Sequence, residues 1–131
     1  MRILSFLLIF FSTTTCAQST KVALQCRLTS TDYVYDCIIK LARDGKPLAG
    51  AQVTVDADMP SMPMMHSVRP LKAKPGRTPG EYAAQLDLEM LGEWAVRLRL
   101  GGPVQEQLVL LYDFDEKGAR PVMRSGKPLR K

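Results

Sequence analysis

The chain has 131 residues, is 46% hydrophobic and carries a formal net charge of +5. That length suits one domain and not two. The basic excess lies largely after Glu116, where six Lys/Arg and no acid occur without interleaved aromatics, so a solvated tail over 117–131 is expected rather than a nucleic-acid surface.

The chain opens with Arg2 followed by an apolar run, ILSFLLIFF, at 3–11, and then by small and polar residues. This is the pattern of an export signal. Nine helical residues cannot cross about 30 Å of hydrocarbon, so the run is read as a leader and not as a permanent span. Cleavage after Ala17 gives a signal peptide over 1–17 and a periplasmic or secreted mature chain. Acylation of Cys16 to make a lipoprotein is the alternative, although Thr13 and Thr15 fit a lipobox poorly.

Export leaves Cys26 and Cys37 as an even pair in an oxidising compartment. If the chain reverses at Thr31-Asp32, residues whose numbers sum to 63 face one another, and 26 and 37 do so. Directly opposed positions on antiparallel strands lie within disulfide reach. Two buried thiols are the alternative.

From Lys21 onward the pattern is period two. Val22, Leu24, Cys26 and Leu28 share one face, followed by Tyr35, Cys37, Ile39 and Leu41 on the next segment. Arg43-Asp44-Gly45-Lys46-Pro47 reads as a turn. Ala51, Val53, Val55 and Ala57 form a third strand that runs into Met59-Pro60-Ser61-Met62-Pro63-Met64-Met65-His66. Residues 67–74 contain Pro70 and are expected as a short edge strand. After the turn at 75–80 come strands at 82–88, 94–100 and 104–114, with Gly92 and Gly101-Gly102-Pro103 as breaks. No helix is expected. About seven short strands with frequent turns give an all-β, immunoglobulin-like antiparallel β-sandwich over 18–116.

Residues 59–66 hold four of the chain's seven methionines and its only histidine. Thioether sulfur is soft and neutral, suited to Cu(I) and poor for Zn(II), Mg(II) or Ca(II). Pro60 and Pro63 are expected to keep the segment extended, with two or three of Met59, Met62, Met64 and Met65 converging with His66. Alternation of strands between the two ends of the sandwich brings Met90 to the same end. Asp56 and Asp58 offer a different set, a His/carboxylate site for Cu(II). The metal-free alternative is that the methionines plug the core or form an adaptable contact surface for a periplasmic or membrane protein. Trp94 is expected in the core. With one histidine and no Gly-rich phosphate loop, acyl- or phosphoryl-transfer machinery is not visible, so a binding protein is expected rather than an enzyme.

The run Asp44-Gly45-Lys46-Pro47-Leu48-Ala49-Gly50-Ala51, then Met59-Pro60-Ser61-Met62-Pro63-Met64, then Gly80-Glu81-Tyr82 and Met90-Leu91-Gly92-Glu93-Trp94 resembles the YtkA-like/FixH-like domain family. The resemblance implies an extracytoplasmic immunoglobulin-like sandwich, often linked to copper handling and to assembly of copper-containing respiratory oxidases. It carries over to Met59, Met62, Met64 and Met90, and less rigidly to Met65 and His66. The chain departs from membrane-anchored members in its cleavable-looking leader, and the Cys26–Cys37 hairpin is not part of the family pattern.

Overall fold

The computed structural model describes residues 19–123. The expected leader over 1–17, with Cys16, and the last eight residues lie outside the described residues. Ten strands run in chain order: β1 Lys21–Leu28, β2 Val34–Arg43, β3 Lys46–Pro47, β4 Gln52–Asp58, β5 Ser67–Lys72, β6 Lys74–Pro75, β7 Glu81–Asp87, β8 Gly92–Gly101, β9 Glu106–Asp115 and β10 Gly118–Pro121. Among the described residues there is no helix.

One sheet has the order β1-β2-β7-β6, with β3 also on β2; the other has β10-β9-β8-β4-β5. All pairings are antiparallel. With the two short additions β3 and β10 set aside, the eight remaining strands follow the immunoglobulin order, A-B-E-D facing C′-C-F-G. The expected sandwich is therefore present.

Period-two alternation accounts for the core. Tyr35, Cys37, Ile39 and Leu41 of β2 point inward against Val53, Val55 and Ala57 of β4 and Trp94, Val96 and Leu98 of β8. The β1–β2 register matches the predicted sum, Cys26 facing Cys37 and Leu24 facing Ile39. The two cysteines are bonded as a disulfide across the hairpin. Trp94 is fully buried, and its indole N–H donates to the Met90 carbonyl at 3.2 Å.

Three differences from the sequence reading have local causes. The seven expected strands become ten because β3, β6 and β10 are too short to show a period. Pro70 does place β5 at a sheet edge, but it also forces a bulge. Leu71 faces Val55 and Val68 faces Ala57, so Arg69 and Pro70 together oppose Asp56. A residue without an N–H cannot continue the ladder, and the bulge absorbs it. The basic tail expected from 117 begins instead with β10, whose Arg120 lies 2.7 Å from Asp115 and 3.4 Å from Asp113. The ladder with β9 and the inward packing of Gly118 and Ala119 hold this stretch on the sheet, with the β9 carboxylates beside its cation, so strand pairing continues to 121, beyond 116.

Candidate functional site

Four connections open at one end of the sandwich: 29–33, 59–66, 88–91 and 116–117. The chain leaves β7 and enters β8 at this end, and β4 leaves its sheet beside the start of β8, where Asp58 faces Ala95. Leu88 N–H donates to the Tyr33 carbonyl at 3.0 Å, tying the first and third loops. The parity expectation thus holds, and Met90 lies at the methionine loop's end of the domain.

The loop itself is not extended. Met62 N–H donates to Met59 O at 3.0 Å, and Met65 N–H to Met62 O at 3.3 Å. Two hydrogen-bonded turns follow one another, with Pro60 and Pro63 each at the second position, where a fixed φ suits a β-turn. Met64, third in the second turn, has φ 67°, as a type II turn requires. Extension fails because the prolines recur every three residues, so each starts a turn in place of continuing a strand. Turn geometry brings Met59 to within about 7 Å of Met62, and Met62 of Met65, measured between Cα atoms.

The sulfur side chains divide sharply. Met59 is 3% exposed and belongs to the core, its methyl group lying 3.2 Å from where a Cβ on Gly92 would stand. Met62 and Met90 are half-buried and pack against that core. Met64 and Met65 are 97% and 74% exposed. Of the sequence set, Met62, Met64, Met65 and His66 share the outer loop, Met90 borders it from the next turn, and Met59 plugs the floor. The signal for Met59 was available: it extends the inward parity of Val53, Val55 and Ala57 by one step.

His66 is half-buried, with Nδ1 3.2 Å from Glu89 Oε2. Asp56 and Asp58 do not join it. Asp56 Oδ1 lies 2.7 Å from Arg97 Nη1, and Asp58 Oδ2 lies 3.6 Å from Nη2. The guanidinium occupies the place an ion would take between them. Among the described residues no three His, Cys, Asp or Glu side chains gather to hold a metal, so the His/carboxylate set is not assembled. Asp56 Oδ2 is buried without a hydrogen-bond partner among the described residues, beside the bulge that breaks the β5 ladder.

Backbone conformation and exposure single out Tyr33, Glu89 and Leu91, which the sequence reading missed, beside Met64, which it named. Among the described residues, four non-glycines have positive φ, and three stand on this end: Tyr33 at 63°, Met64 at 67° and Glu89 at 64°. Such conformations cost on the order of 1 kcal/mol each and persist where surrounding structure holds them. Tyr33 and Leu91 are exposed and line a cleft of about 470 Å³ with Leu28, Asp32 and Glu116. An apolar residue inside a turn, Leu91 before Gly92, was the available signal. Asp32, Asp87, Glu89 and Glu116 stand at this end with one cation on its connections, Lys117, while Lys46, Lys74 and Arg77 lie toward the other end with Asp44. The loop therefore lies in an acidic neighbourhood despite the net positive charge.

The YtkA-like family profile matches residues 27–99, more than half of the chain. The chain belongs to the YtkA-like family. The matched span contains the methionine loop, Met90 and Trp94, and it begins one residue after Cys26. Neither the curated proteins nor the solved structures include a match to this chain.

Proposed function

We propose that this YtkA-like domain is an exported, periplasmic or secreted binding protein that handles Cu(I), and not an enzyme. The observation that carries the reading is the outer loop: Met62, Met64 and Met65 with His66 on two consecutive turns, Met64 and Met65 largely exposed. Three thioethers and one imidazole are a donor set for a soft monovalent ion. Met90 offers a further sulfur on the adjoining turn, whereas Met59 would have to leave the core to bind. The carboxylates at this end favour the approach of a cation. An anaerobic Cu(I) competition titration tests the reading by comparing wild type with a Met62→Leu/Met64→Leu/Met65→Leu variant. Leucine keeps the apolar volume and removes the sulfur. Tight binding lost in the variant is the expected result; equal and weak binding in both sinks the reading.

The exposure of Tyr33, Met64, Met65 and Leu91 on adjoining loops supports a second reading, a metal-free contact surface for a periplasmic or membrane protein. Solvent-facing apolar residues gathered at one place mark such surfaces. A pull-down that depends on the loop, is unchanged by chelator and survives the leucine variant favours this reading over the first.

A further inference from the structure

The donor set contains one group with a choice of donor atom. An imidazole binds a cation through whichever ring nitrogen lacks a proton, and that choice is set by the hydrogen bond the other nitrogen makes. Here Nδ1 of His66 lies 3.2 Å from Glu89 Oε2. An ionised carboxylate only accepts, so a hydrogen bond here requires the proton on Nδ1 and leaves the lone pair on Nε2. The contact joins two loops 23 residues apart in sequence. On the far side, Glu89 is held by a left-handed backbone, φ 64°, beside Leu88, whose N–H is bonded to the Tyr33 carbonyl. A mobile surface acid would gain little from so constrained a backbone, whereas a residue that must aim its carboxylate across a gap gains its direction from it.

We infer that Glu89 is a positioning residue for the methionine loop. It fixes His66 with Nε2 presented as donor and adds a negative charge behind the imidazole; the inference rests on the Cu(I) reading above. An outer carboxylate of this kind strengthens the ligating nitrogen and holds the ring plane, and its loss typically weakens metal binding about 10–100-fold. It also links the 88–91 turn, which carries Met90, to the methionine loop.

His66 is the only histidine in the chain, so its ring signals are unambiguous. In the metal-free protein at about pH 8, where an ordinary imidazole is neutral, nitrogen NMR should show the Nδ1–H form. Glu89→Ala should shift the ring toward the Nε2–H form that free imidazoles favour, whereas Glu89→Gln, whose amide oxygen still accepts, should keep the wild-type form. In Cu(I) competition, Glu89→Ala should bind about 10–100-fold more weakly, and Glu89→Gln should recover most of the loss. Unfolding midpoints of both variants should stay close to wild type, since the contact is exposed. An Nε2–H ring in the wild type, or unchanged Cu(I) affinity in Glu89→Ala against a tightly binding wild type, overturns the inference alone. A wild type that binds no Cu(I) overturns the reading beneath it and the inference with it.

Discussion

Met59 and Met64 are five positions apart on one loop and have opposite surroundings. Met59 fills the core beside Gly92, and truncating it leaves a cavity that rigid strands cannot close. Met59→Ala should therefore cost about 2–4 kcal/mol in urea unfolding. Met64→Ala and Met65→Ala should stay within about 0.5 kcal/mol of wild type, because neither side chain is packed. An equal cost at all three positions would mean that the loop folds as one apolar plug. Much of this division was legible in the sequence, since Met59 continues the inward parity of β4 and Met90 continues that of Tyr82, Ala84, Leu86 and Leu88. The pairing of His66 with Glu89 was not legible. It depends on the meeting of two loops whose conformations no local pattern specifies.

At the scale of elements, the β1–β2 hairpin is the clearest case of structure readable from residue numbers. Once the centre of the reversal is placed at Thr31-Asp32, antiparallel pairing dictates every partner, and Cys26 meets Cys37. A bridge between positions 11 apart stabilises by about 2–3 kcal/mol in the chain-entropy account. Reduction of the folded protein should lower its unfolding free energy by about that amount while leaving the β-sheet circular dichroism intact. Loss of the sheet signal on reduction would show that the core alone does not hold the hairpin. The same logic failed at β10. Its four residues show no alternating apolar set, and the strand is held by its ladder with β9, by Gly118 and Ala119 packing against the sandwich, and by Arg120 beside Asp113 and Asp115. Cross-strand partners decide such edges, and the sequence of one strand does not name them.

For the whole molecule, two sheets that share no ladder must be held by their facing side chains, and tyrosines add polar stitches to that apolar contact. Tyr35, from the first sheet, donates its phenol to the Asp115 carbonyl of the second at 2.7 Å, and its ring meets Phe114 edge-on with centroids 5.1 Å apart. Tyr112, from the second, accepts from Leu24 N–H of the first at 3.4 Å. Burial raises the ionisation of Tyr35 above the ordinary phenol value of 10.0, and the charges of Asp115 and Glu116 raise it further. The folded state thus holds this proton more tightly than the unfolded chain. The corresponding stability is complete below about pH 10 and is lost as pH climbs from there toward the higher folded value. Tyr35→Phe removes this term. At pH 8 the variant should be less stable by about 1 kcal/mol, the net worth of one hydrogen bond. Between pH 9 and 11 its stability should fall less steeply than that of wild type, so the two curves converge. Urea unfolding across that range measures both slopes. Parallel curves would mean that the phenol ionises equally in both states and does not couple the sheets. Because Asp115 ends β9 beside the 116–117 turn, the same stitch anchors the end of the sandwich on which the methionine loop is built.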